Sequence, residues 1–453
     1  MKSQSHFWTE CKSIVTLALP ILVAQFAQTA NGFVDTVMSG QVSPNDLAAV
    51  AVGSSVWVPV YLFLVGVMQG LTPFVSQLHG KNKTHQAGSV VQQGIWLAIP
   101  LGWLGFAIMR SMEPVLNLME VDQDIKPLIL GYLDGLSWGF PAITVFLAFR
   151  GLTEGLSNTK PVMVVSLIGL AVNVPVNYIL IHGKLGLPAL GGVGCGWATS
   201  IVMWLMLFCL FFYCWHKEKH LKSGLFQQFG LPNASQIYSI VRVGLPIGLS
   251  IFIEVSVFCI VALLIAGIGA QVVASHQIAL NVASMLFMLP LSLSLALTIR
   301  VANSVGANNP IGLKNNVKSG LFIIVLIAVF NSTLMALFRE SIAGIYTDDQ
   351  QVIELASALL IFAAVFQISD CLQVGANGVL RGMKDTAIPM LITVVAYWVI
   401  GLPLGYSLGL TNLFVPAMHA EGFWYGLVAG LTAAAIMLCW RVGLRLPKAL
   451  HPN

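Results

Sequence analysis

Charge is scarce in this chain: Asp, Glu, Lys and Arg make up 9% of its 453 residues, where soluble domains carry about 25%. That deficit, beside 57% hydrophobic residues, excludes a water-soluble globule and leaves an integral membrane protein. No clustered basic footprint is present, so the net charge of +4 implies no nucleic-acid partner. The seven cysteines are scattered with no CxxC pair, which makes them small hydrophobes rather than metal ligands or disulfides. No GxxxxGKS phosphate loop exists to run an ATP motor, and no HExxH marks a metalloprotease. No cofactor is expected. No Lys or Arg lies at the middle of an apolar run either; Arg150, Arg300 and Arg381 fall toward one end of theirs. A carrier of anions or lipid phosphates is expected to place cations there.

A spanning helix needs about 20 mostly apolar residues. Twelve such runs begin near Ile14, Ala48, Val90, Pro127, Pro161, Val193, Ile240, Ser275, Gly320, Leu355, Ile388 and Gly422. The chain therefore reads as all-α, with twelve transmembrane helices and no room for a soluble domain. Lys2 and Lys12 before the first run resemble a secretory signal, but Pro20, Gln25, Gln28 and Asn31 within it point to an uncleaved first helix. With both termini in the cytoplasm, only Arg110, Lys126, Lys184 and Arg339 of the 22 basic residues fall outside, as the positive-inside rule requires.

The two halves align at a nearly constant shift. Leu19-Pro20 matches Leu245-Pro246, and Gly70–Asn82 lies over Ala296–Asn308 with Leu71/Leu297, Thr72/Thr298, Gly80/Gly306 and Asn82/Asn308 in register. Gly155 and Thr159 match Gly382 and Thr386; Pro175 and Tyr178 match Pro403 and Tyr406. Six spans per half is an even number, so the halves share one orientation as a parallel repeat about an axis along the membrane normal. The expected division is a lobe at 1–215, a cytoplasmic linker at 216–238 and a second lobe at 239–453. Such a plan permits alternating access by rocking two bundles.

Against this apolar background stand Asp35, Glu254 and Asp370. A carboxylate at mid-bilayer costs about 3 kcal/mol even on the lenient scale, and such residues are functional by default. Glu254 and Asp370 each lie well into their helices, near mid-bilayer. If those helices are neighbours, two like charges in one cavity would resist joint ionisation and make a proton acceptor; a bound Na⁺ would hold both ionised, since hard cations prefer oxygen. Asp35 is nearer a helix end, where a snorkelling or capping role competes. Its company strengthens it: Asn173 and Asn177 share a helix face and Thr199 follows on the next span, so these four supply oxygens for a cation cage or a proton-linked network. The acids are not repeat equivalents, because Glu254 aligns with Gln28, Asp35 with Val261 and Asp370 with Ile143. Phe252, Phe287, Met288 and Tyr397 are candidate cavity walls for flat cations through cation–π contact. The prolines within spans fit hinges or simple kinks equally well.

The segments FVDTVMSGQVSPNDLAAVAVGSS (Phe33–Ser55) and ASHQIALNVASMLFMLPLSLSLALTIRVANSVGAN (Ala274–Asn308) resemble the MATE (multidrug and toxic compound extrusion) transporters, and the resemblance runs over nearly the whole chain. Glu254 with Asp370 resembles the NorM branch rather than the DinF branch. The resemblance implies a bacterial inner-membrane antiporter, not an enzyme, that exports organic cations such as dyes and fluoroquinolones. Na⁺ or H⁺ entry would drive it. It also implies a second-half cation site at Glu254 and Asp370, with Na⁺ as the metal if Na⁺ couples, and a first-half site at Asp35, Asn173, Asn177 and Thr199. Where some branches carry an acid at position 177, this chain has an amide. A monomer in the bilayer is expected. The rivals are a lipid-linked oligosaccharide flippase of similar helix plan, which calls for a basic cavity, and an intramembrane aspartyl enzyme, whose YD and GxGD settings are absent.

Overall fold

The computed structural model describes residues 2–450 apart from Glu120, Gln228 and Phe414, and every regular element among the described residues is a helix. The first half holds α1 (Phe7–Gly40), α2 (Pro44–Gly80), α3 (Thr84–Leu118), α5 (Lys160–His182) and α6 (Val193–Leu221). Between α3 and α5 lies α4, made of Lys126–Ser137 and Phe140–Gly155 with a 42° bend at the break. The second half holds α7 (Ala234–Ala266), α8 (Ala270–Gly306), α9 (Pro310–Tyr346), α10 (Gln350–Gly382), α11 (Ala387–Leu410) and α12 (His419–Ala449). Each of the twelve apolar runs falls in one of these spans. The shortest unbroken one has 23 residues, about 35 Å of helix, enough to cross a hydrocarbon core of about 30 Å. This is a multi-span membrane protein.

Helix starts follow local chemistry. Ser43 accepts from Asp46 N at 3.0 Å with Pro44 at the first helical position, and Asn309 accepts from Gly312 N at 2.9 Å before Pro310. Asp349 caps α10 by accepting from Gln351 N at 2.9 Å. Inside α11 the residues Val395–Gly401 widen into a π-helical turn just ahead of Pro403. Proline lacks an N–H and its ring collides with the carbonyl four residues back; a wider turn absorbs both defects, and such turns recur at functional sites.

The chain forms two compact units. One is Leu19–Gly248; the other runs from Leu249 onward and includes the start of α1 through Ala18. The first is centred on Leu71, Tyr132, Phe140 and Phe146, all but sealed from solvent. The second is centred on Phe366, Tyr397, Phe423 and Trp424. In the second unit Phe7 packs edge-on to Phe322 at 5.6 Å, Ser319 Oγ donates to the Phe7 carbonyl at 3.2 Å, and Glu10 pairs with Arg300. The opening turns of α1 are thereby tied to α8 and α9.

The duplication read from sequence is visible in contacts as well. A methyl placed on Gly94 would stand 2.7 Å from Leu71, and one on the equivalent Gly320 would stand 2.5 Å from Leu297. Asn82 and Asn308 both adopt left-handed backbone (φ 57° and 49°), as do Ser157 and Lys384 (60° and 58°). Asparagine tolerates that region and often ends helices there. One joint has been rewritten: Asn158 Nδ2 donates to Tyr213 Oη at 3.0 Å, whereas the corresponding Asp385 accepts from Arg441 Nε at 2.8 Å and from Arg445 Nε at 2.8 Å.

The stretch between α6 and α7 is bonded along its length within the first unit. Gln92 donates to the Leu225 carbonyl at 2.7 Å and accepts from Gly230 N at 3.0 Å. Its neighbour Gln93 donates to the Leu231 carbonyl at 3.1 Å and accepts from Asn233 N at 2.7 Å. Trp96 Nε1 adds a bond to the Gly230 carbonyl at 3.0 Å.

Candidate functional site

Each unit encloses one acidic centre. In the first, α1 places Asp35 at 4% exposure, which removes it from a snorkelling or interfacial role. Asn177 Nδ2 donates to its Oδ1 at 2.6 Å and to Asn173 Oδ1 at 2.9 Å. Asn173 Nδ2 reaches the same Asp35 oxygen at 3.5 Å, and Thr199 Oγ1 donates to Oδ2 at 3.0 Å. All four predicted residues therefore meet, drawn from α1, α5 and α6. A buried carboxylate is tolerable only with such donors around it. Asn177 Oδ1 is buried and has no partner among the described residues, so one oxygen of the cluster stays available to a cation.

Two supporting features were not read from sequence. Tyr132 lies within Coulombic reach of Asp35, and its hydroxyl accepts from Trp57 Nε1 at 3.1 Å. Asp46, in the first turn of α2, is buried: it accepts from Ser43 Oγ and from Gly192 N, each at 2.6 Å. It thus satisfies the helix start at Val193, and α6 carries Thr199 from there. The signal available beforehand was Ser43-Pro44 with an acid three residues after the serine, a helix-start pattern.

In the second unit Asp370, on α10, is 3% exposed, and Glu254, on α7, is half-buried. The two carboxylates act on each other electrostatically. Tyr397 links Glu254 to the neighbourhood of Asp370: its hydroxyl donates to Glu254 Oε1 at 3.0 Å and accepts from Gln373 Nε2 at 2.9 Å. Gln373 stands one turn from Asp370 on α10. Tyr397 was expected as a cavity wall. At 1% exposure, with its hydroxyl between Glu254 and Gln373, it positions a carboxylate and offers no ring face to solvent. The π-helical turn that carries Tyr397 is what aims it. Of the other wall candidates, Phe252 is 45% exposed, while Phe287 and Met288 are half-buried.

The sequence reading also counted the intramembrane acids as three and without basic company, and this too is corrected. Glu154 in α4 is buried and accepts from Arg150 Nε at 2.7 Å, one turn away. The pair neutralises itself, so it differs in kind from the uncompensated centres. Arg381 lies within Coulombic reach of Glu254. A polar row at helical spacing along α10 (Gln367, Asp370, Gln373, Asn377, Arg381) marks the face that bears the site. Searching for that periodicity would have found Gln373.

The MatE family model matches residues 20–179 and again 246–407, one copy for each half of the internal repeat. Multidrug resistance protein PmpM of Pseudomonas aeruginosa is 46% identical over 434 residues, covering 96% of this chain and 91% of that protein. The probable multidrug resistance protein NorM of Shewanella oneidensis is 44% identical over 438 residues, covering 96% and 95%. Among solved structures, the eukaryotic MATE transporter AtDTX14 superposes with a TM-score of 0.87 at 20% identity over 98% of this chain and 99% of that one. A MATE in the bent conformation gives 0.89 at 19% identity over 99% and 98%. With both the sequence matches and the two-lobed helical fold in agreement, the chain belongs to the MatE family, the multidrug and toxic compound extrusion transporters, in its NorM-like branch.

Proposed function

We propose that this chain is a secondary antiporter that exports organic cations, such as hydrophobic dyes and fluoroquinolones, in exchange for inward Na⁺ or H⁺. It does so as a monomer in a bacterial inner membrane with both termini in the cytoplasm. The observation that carries this reading is the buried Asp370, with no ion-pair partner among the described residues, acting electrostatically on Glu254. Such a site binds something positive, and two positive species that compete for it exchange for each other. The names of the relatives, multidrug resistance proteins, support the drug half of the exchange. A one-for-one exchange of monovalent cations moves no net charge and is driven by the ion's concentration gradient; each further ion admitted per drug adds about 2.3 kcal/mol per 100 mV. An acidic site suits a cationic drug and opposes a lipid pyrophosphate, which disfavours the flippase alternative.

The test is ethidium efflux from proteoliposomes, first under a Na⁺ gradient at fixed pH and then under a pH gradient without Na⁺. The reading expects at least one gradient to drive efflux, and Glu254→Gln and Asp370→Asn to abolish the dependence on it. Gradient-driven efflux that survives both substitutions unchanged would remove the carboxylates from the coupling role.

A further inference from the structure

Two oxygens on one turn of α10 have no donor. Asp370 Oδ1 and Gln367 Oε1 are both buried without a hydrogen-bond partner among the described residues. The residues are 3% and 0% exposed. They stand three apart on an unbroken helix and so share a face. The amide nitrogen of Gln367 is directed to Cys371 Sγ at 3.8 Å, which leaves the carbonyl as its unmatched end. A buried acceptor left unpaired is costly, and two on one helical turn compound that cost. Solvent does not reach them. One small cation that seeks oxygen relieves both at once. Na⁺ does so as a ligand of each oxygen. A proton does so as an O–H on Asp370 donated to the amide carbonyl.

We infer that Gln367 supplies the neutral oxygen of the coupling-cation site and sets how tightly that site holds its ion. The inference rests on the antiport reading above and deepens it. An amide suits this place because it adds an oxygen without a third negative charge beside Asp370 and Glu254. The site then carries enough charge to attract a cation and not so much that release is blocked.

The test uses the full chain in lipid nanodiscs and in proteoliposomes. Equilibrium binding of ²²Na⁺ at fixed pH is one arm; ethidium efflux against a graded pH gradient in Na⁺-free buffer is the other. Gln367→Leu and Gln367→Met both remove the oxygen and nearly keep the volume, so one can stand in if the other fails to fold; Gln367→Glu restores an oxygen. For whichever ion serves the parent protein, the leucine and methionine variants are expected to raise the half-saturating concentration about tenfold or more, as loss of one contact to a charged group implies. The glutamate variant is expected to stay near the parent or bind more tightly. A shift in the ²²Na⁺ arm assigns the oxygen to Na⁺, and a shift in the efflux arm alone assigns it to the proton. Parental half-saturation in both folded oxygen-less variants, while Asp370→Asn loses coupling, overturns the role of Gln367 and leaves the antiport reading intact. Retained coupling in Asp370→Asn and Glu254→Gln overturns the reading beneath it.

Discussion

Replacing Asn177 by leucine tests the first acidic centre most directly. The amide gives Asp35 its shortest bond, 2.6 Å, and also holds Asn173 at 2.9 Å. A hydrogen bond to a charged group contributes about 1.5–3 kcal/mol and a neutral one about 1 kcal/mol, so Asn177→Leu should destabilise the protein by about 2–4 kcal/mol. Thr199→Val removes a single bond of 3.0 Å to the other oxygen and should cost about 1.5–3 kcal/mol. Asn173→Leu removes a contact of 3.5 Å to Asp35 and an acceptor for Asn177, and should cost about 1 kcal/mol. The order Asn177, Thr199, Asn173 is thus set by geometry. It can be read from thermal unfolding and SDS titration of purified protein. A double-mutant cycle with Asp35→Asn isolates the Asn177–Asp35 bond. Its coupling should be largest when Asp35 is ionised and shrink as pH falls and the carboxyl takes up a proton, because a neutral acceptor is weaker. Equal costs at positions 173 and 177, or a coupling near zero at every pH, would refute the assignment of Asp35 as the charge these amides hold.

Tyr397→Phe keeps the buried ring but disconnects Glu254 from Gln373. Ion-driven efflux should fall, and Gln373→Leu added to it should cost little more, since both sever one chain of hydrogen bonds; additive losses would separate the two residues. Arg150→Met should destabilise by about 3–5 kcal/mol by stranding Glu154, whereas Arg150→Met with Glu154→Leu should lie close to the parent, measured by the same unfolding assays. Gln92→Ala with Gln93→Ala should speed amide hydrogen exchange and proteolysis across residues 222–233, at a cost of about 2–4 kcal/mol for four lost bonds; unchanged protection would show that the stretch is held by other means.

The parts legible in the sequence were those that depend on length, polarity and repetition. Twelve apolar runs gave twelve spans because hydrocarbon thickness imposes one length. Asp35, Asn173, Asn177 and Thr199 were picked out because polar oxygens in apolar runs are rare, and burial then brings them together. The parts that stayed hidden depend on where a chain is aimed. Tyr397 read as one of four candidate cavity walls, and only the fold shows its hydroxyl donating to Glu254. Asp46 went unmarked because nothing local shows that Gly192, 146 residues away, will donate to it. Glu154 was passed over because its neutralising arginine sits at a helix end, where a basic residue looks like a topology signal.

The tie between Glu10 and Arg300 joins residues 290 positions apart. At a synthesis rate of roughly 5–20 residues per second, the opening turns of α1 wait about 15–60 s for α8 to emerge. Leu19–Gly248 can complete its own core in that interval, while Phe7 and Glu10 stay without their final neighbours. Closure of the second unit therefore comes only after α8 is made, and it needs the opening turns of α1 to be retained beside the membrane until then. Co-expressed halves cut at residue 238 would have to reassemble through that segment. If the first 18 residues were moved to the start of the second fragment, the tie would become local and maturation would lose its dependence on the order of synthesis.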